Sequence, residues 1–104
     1  MKAYERLLNY VKAPTPSDER SGTHPSSACQ RVLAEQLVKE MKKLGVSDVR
    51  IDEKCYVYGK IPATKGYESK TKLGFIAHMD TVSDFADHAV NPVVHENYDG
   101  KDLK

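Results

Sequence analysis

The sequence predicts an α/β fold in which a mixed sheet is packed by helices and the layers of the domain are incomplete. Three observations carry this. Helical periodicity occupies the first part of the chain and strand-like segments follow it, giving the order α, α, β, β, β and then an extended polar tail. The most apolar segment, Leu73-Gly74-Phe75-Ile76-Ala77, has no charge and the look of a strand buried on both faces. It stops at His78, with Asp80 two places later. A length of 104 residues leaves room for one small domain, 1–104, and 39% hydrophobic with 30% charged residues are the proportions of an ordinary globular chain.

The first helix is expected over residues 3–12, because Tyr4, Leu7, Leu8 and Val11 recur at i, i+3, i+4 and i+7 and Pro14 ends the pattern. Residues 13–25 hold three prolines and a glycine and predict a long loop, of a length that either borders a cleft or serves as a mobile connector. Ser27-Ala28-Cys29-Gln30 has the form of a capping box and predicts a second helix starting at Ser27. Leu33, Leu37, Met41 and Leu44 give that helix one apolar face for a sheet, Lys42 and Lys43 suit the negative end of its dipole, and Gly45 supplies a left-handed stop. Val49-Arg50-Ile51-Asp52 and Tyr56-Val57-Tyr58-Gly59-Lys60-Ile61 read as an antiparallel hairpin turning at Glu53-Lys54-Cys55 and closed by Pro62. Residues 63–72 are a polar loop leading to the apolar run. Beyond it the periodicity is poor. Residues 93–95 suit a short strand, and 97–100 have the Asn, Asp and Gly chemistry of a turn.

Sixteen basic and fifteen acidic residues give a formal charge of +1, so no broad field favours nucleic acid or an anionic membrane. No apolar stretch approaches the roughly 20 residues of a membrane span, and the N-terminus has no apolar core of a secretory signal, so the expected location is cytoplasmic. Cys29 and Cys55 have neither C-x-x-C spacing nor a histidine at zinc-finger distance and are expected as free thiols. There is no nucleophile elbow, phosphate-binding loop or dinucleotide fingerprint.

Chemistry therefore concentrates at His78 and Asp80. Ligands of open α/β sheets sit beyond the carboxyl ends of strands, and neutral imidazole is the commonest protein ligand for zinc, with a nearby carboxylate able to hold its orientation. Residues i and i+2 of an extended strand face one side, which would let the two act together. The bare triplet H-x-D is also compatible with a structural or surface histidine. His24, His88 and His95 read as solvated side chains.

Two segments carry a resemblance. Phe75-Ile76-Ala77-His78-Met79-Asp80-Thr81 resembles the first metal-binding motif of the dinuclear zinc exopeptidases. Asn91-Pro92-Val93-Val94-His95-Glu96-Asn97-Tyr98-Asp99-Gly100 is similar to the segment that follows that motif in the peptidase T branch of those enzymes. Pro25-Ser26-Ser27 with Gln30, and Leu7-Leu8-Asn9-Tyr10-Val11, look like that branch's opening. The resemblance implies the N-terminal segment of a zinc-exopeptidase catalytic domain, with His78 as ligand of one of two zinc ions and Asp80 as the catalytic-site carboxylate that fixes its ring. It implies a metal-dependent aminopeptidase releasing the N-terminal residue of tripeptides, in which two zinc ions flank an activated water and a glutamate is general base. In the family that glutamate and the remaining ligands lie beyond the equivalent of Lys104. The chain alone is accordingly expected to bind zinc weakly, to be inactive, and to self-associate through an exposed sheet edge. The alternatives are a related metallopeptidase or deacylase with another substrate, or a non-catalytic α/β interaction domain.

Overall fold

The computed structural model describes residues 1–85 and 90–103. Helix α1 spans Ala3–Tyr10, helix α2 Gln30–Lys43, strand β1 Ser47–Ile51 and strand β2 Val57–Lys60, with a 3-10 turn at Ser83–Phe85. It is a mixed α/β arrangement whose sheet, among the described residues, has two strands.

Helix α1 stops two residues short of the expected end. Val11 is its last cap, and its backbone N–H still reaches Leu7 O at 3.0 Å before Ala13 turns back to Tyr10 O at 3.0 Å. Glu40 on α2 accepts from both Arg6 and Tyr10, tying the two helices together through one carboxylate.

Helix α2 begins at Gln30, not Ser27, and Cys29 is its cap. The expected capping box does not form, because the Gln30 side chain is used elsewhere: its amide donates to Pro16 O at 3.0 Å and Ser26 Oγ at 3.2 Å. Residues 27–29 instead lead in through i to i+3 bonds, Gln30 N–H to Ser27 O and Arg31 N–H to Ala28 O, both 3.2 Å. The other end is as expected. Gly45 has φ 80°, its N–H bonds Lys42 O at 3.0 Å and the N–H of Val46 bonds Met41 O at 3.0 Å, which together form a Schellman stop. Among the described residues the buried apolar ones are Leu33, Ala34 and Cys55, where α2 packs over the hairpin. Leu37 and Met41 are half-buried and Leu44 is exposed.

Strands β1 and β2 pair antiparallel, Arg50 opposite Tyr58 and Ile51 opposite Val57, with an irregularity between Ser47 and Arg50 where Asp48 adopts φ 52°. The turn falls at residues 53–55 as expected, and Asp52 organises it. Its Oδ1 accepts the N–H groups of Lys54 at 3.0 Å and Tyr56 at 2.9 Å, and its Oδ2 accepts the Tyr58 hydroxyl at 3.1 Å. Partial desolvation pushes the Asp52 carboxyl up, but the bonds from Tyr56, Tyr58 and Lys54 outweigh it and hold the group below its ordinary value. The hydrogen bond to Asp52, with some desolvation, raises the Tyr58 hydroxyl. Arg31 reaches from α2 to the carbonyls of Asp52 and Glu53 at 3.3 and 3.4 Å, and the Arg50 guanidinium lies 4.2 Å from the centre of the Tyr58 ring. Burial raises the Cys55 thiol, and both cysteines are unpaired, as expected.

The apolar run 73–77 corrects the reading that it is a strand buried on both faces. It lies outside any strand, with Leu73 80%, Phe75 90% and Ile76 101% exposed. A doubly buried strand needs neighbours on both edges and a layer on each face. The one sheet of the described residues is the β1–β2 hairpin, and the run does not pair with it. Residues 93–95 are likewise not a strand, whereas the turn chemistry after them holds: Asn97 has φ 52° and Gly100 φ 83°.

Candidate functional site

His78 and Asp80 come together without a strand to align them. The His78 Nδ1 lies 2.8 Å from the backbone O of Asp80 and 3.2 Å from its Oδ1. Both neighbours are acceptors, so in the neutral ring Nδ1 carries the proton and donates, and among the described residues the Nε2 lone pair has no partner. The histidine side chain is 85% exposed and the aspartate's 45%, so the pair stands at the surface.

What fixes the pair is the loop that follows α1. The N–H of Thr81 donates to Thr15 O at 2.8 Å, and the N–H of Ser17 donates to Thr81 O at 2.9 Å, so Pro16 and Thr81 run parallel as a single bridge. The Ser17 hydroxyl adds a second bond to Thr81 O at 3.1 Å. The proline-rich loop thus borders the candidate site, one of the two roles its length suggested. Thr15, Ser17 and Thr81 were not legible as site residues, since their partners are more than sixty positions apart in the chain.

Two hollows flank the pair. One, of about 580 Å³, is a mainly apolar groove walled by Leu7 and Tyr10 of α1, Leu33 and Leu37 of α2, and the segment from Ala77 to Val82. The other, of about 460 Å³, is polar and lies among Asp18, His24, Ser26, Lys54 and Tyr56, and Asp80 borders both. His24 and His95 are exposed, as expected, and His88 lies outside the described residues.

An imidazole with Nδ1 engaged by a carbonyl and a carboxylate, and with no partner on Nε2 among the described residues, has the donor arrangement of a zinc-ligating histidine with its orienting partner. Among the described residues no group of three or more His, Cys, Asp or Glu is gathered to hold a metal ion. Catalytic zinc ordinarily takes three protein ligands. His78 and Asp80 therefore fit one ligand position, not a closed site. No helix of the described residues is long and apolar enough to cross a membrane.

No protein-family model matches the chain. Curated relatives do. Peptidase T of Bacillus licheniformis is 48% identical over 102 residues, which are 98% of this chain and 25% of that protein. Peptidase T of Clostridium perfringens strain SM101 is 46% identical over 103 residues, 99% of this chain and 25% of the relative. Peptidase T of Bacillus subtilis is 44% identical over 99 residues, 95% and 24% of the two chains. The resemblance to peptidase T is thereby borne out along almost the whole chain, which spans about a quarter of the length of these relatives.

Proposed function

We propose that the chain is the N-terminal part of a cytoplasmic, zinc-dependent aminopeptidase of the peptidase T type, acting on tripeptides, in which His78 is a metal ligand and Asp80 its orienting carboxylate. The observation that carries the reading is the His78 ring itself: its Nδ1 is held by Asp80, and its Nε2 has no hydrogen-bond partner among the described residues, in a segment that lies within the match to peptidase T. When bound, two zinc ions supply an activated water and polarise the scissile carbonyl of a peptide substrate. Asp80 keeps the ring proton on Nδ1 and so leaves the lone pair on Nε2. The main-chain clasp at Thr81 holds Asp80 in place, and the apolar groove beside the pair offers a water-poor wall for a peptide side chain. The described residues supply one ligand position, so the chain by itself is expected to be inactive and to bind zinc weakly.

The test is a graft. Replacing the matching quarter of Bacillus licheniformis peptidase T by this chain is expected to yield tripeptide hydrolysis that His78→Ala abolishes and Asp80→Asn lowers about 10- to 100-fold. A correctly folded graft that keeps full activity as His78→Ala would remove His78 from the site. Calorimetric titration of the unfused chain with zinc is expected to show only weak binding. Submicromolar binding lost in His78→Ala would mean that the chain closes a zinc site around His78 on its own.

A further inference from the structure

Thr15 and Gln30 are the buried polar side chains among the described residues, at 4% and 7% exposure, and neither belongs to the His78 and Asp80 pair. A carboxamide is withdrawn from water at little cost only where its hydrogen bonds are replaced. Gln30 meets that condition by donating to Pro16 O and Ser26 Oγ rather than by capping its own helix. Pro16 is the residue that runs beside Thr81.

The geometry of one peptide unit turns this into a link with the site. The N–H of Thr81 and the carbonyl of Asp80 are the two ends of the same planar amide. The N–H end is held by Thr15 O at 2.8 Å, and the carbonyl end accepts from His78 Nδ1 at 2.8 Å. Fixing the direction of one end fixes the other. Among the described residues, the backbone hydrogen bonds that join residues 71–82 to earlier parts of the chain all pass through Thr81. Helix α2 thus reaches the imidazole in three steps, from Gln30 to Pro16, across the bridge to Thr81, and through the 80–81 peptide to His78.

We infer that Gln30 is a positioning residue for His78, acting through the loop 15–17 to set the plane of the 80–81 peptide and with it the tautomer and direction of the ring. The inference rests on the reading of His78 as a ligand only for its consequence; its geometry is tested without metal or substrate. The experiment is long-range nitrogen NMR of the ring at mildly alkaline pH, with amide exchange read on the same labelled full chain. The wild-type ring is expected as the Nδ1–H tautomer, with the amides of Thr81 and Ser17 protected. In Gln30→Met, which keeps the volume and removes the donor, those amides are expected to exchange about 2- to 10-fold faster and the ring to lose its Nδ1–H preference. Hairpin amides, Ile51 and Tyr58 among them, serve as the fold control. If they also lose protection, Ser17→Pro, which deletes the donor to Thr81 O without touching α2, is the deciding variant and is expected to release the ring in the same way. A ring that stays Nδ1–H in the folded variant overturns the role of Gln30 and leaves the metal-ligand reading intact. A wild-type ring without that preference overturns both.

Discussion

Asp52 is the residue on which most of the hairpin's local bonding converges, and its chemistry fixes how the hairpin responds to pH. Its folded pKa lies below the ordinary value, so the unfolded chain takes up the proton first as acid is added. The contribution is therefore complete above about pH 4, the unfolded carboxylate value, and is lost as pH falls through the lower folded value. Tyr58 behaves in the opposite sense. Its hydroxyl is raised by donating to Asp52, so its contribution is complete below about pH 10 and is lost as pH rises through the folded value. Amide exchange of Tyr56 and Val57 across a pH series is expected to show early opening on the acid side in the wild type, and Asp52→Asn is expected to flatten that limb. An unchanged acid limb in Asp52→Asn would place the proton uptake elsewhere. This organising role was not legible in sequence, where Asp52 is only the polar end of an alternating strand. One carboxylate taking three donors becomes visible only when the turn is closed.

At the scale of the elements, the two glycines that bound the helix and hairpin unit are expected to resist substitution for different reasons. Gly45 has φ 80° and nothing within 4 Å of an added Cβ, so Gly45→Ala meets backbone strain alone, about 1–2 kcal/mol, and Gly45→Asn meets less because asparagine tolerates the left-handed region. An added Cβ at Gly59 overlaps Met41 Cε and Val46 Cγ1, side chains that fill the space between α2 and β2. Gly59→Ala is thus expected to destabilise by about 1–3 kcal/mol through overpacking, and Met41→Ala is expected to relieve part of it. Urea unfolding followed by circular dichroism would separate the cases: equal costs for Ala and Asn at position 45, or no coupling between positions 41 and 59, would reject them. Both helices, the stop at Gly45 and the hairpin turn were legible because each is written in contacts a few residues apart. The start of α2 was not, since Gln30 could satisfy either the local cap or the distant Pro16 carbonyl and the fold uses the second. The strand expected over 73–77 failed for the complementary reason. Its composition is that of a strand, but strand pairing is a property of neighbours, and the described residues supply none.

At the scale of the whole molecule, the chain is too open for a closed core. Its radius of gyration is 17.1 Å, against about 13 Å for a compact domain of this length, and its accessible surface is 9046 Å², against roughly 5900 Å² for a folded monomer of 11.7 kDa. The excess includes a contiguous stretch of apolar chain. Leu73, Phe75 and Ile76 are at least four-fifths exposed, and between Thr71 and Asp80 the main chain has no backbone partner elsewhere in the described residues. Unpaired N–H and C=O groups beside exposed aromatic and β-branched side chains form a template for strand pairing. A second copy of the same segment is a partner that can pair with it edge to edge. Self-association is therefore expected, with a mass by light scattering that rises with protein concentration. The double substitution Phe75→Glu and Ile76→Lys removes the apolar template while leaving α2 and the hairpin untouched, and it is expected to restore a monomer. A wild-type chain that stays monomeric at high concentration would sink this expectation. A double variant that still associates would move the sticky surface to the other exposed apolar residues, Ile61 and Phe85 first, at 83% and 81% exposure.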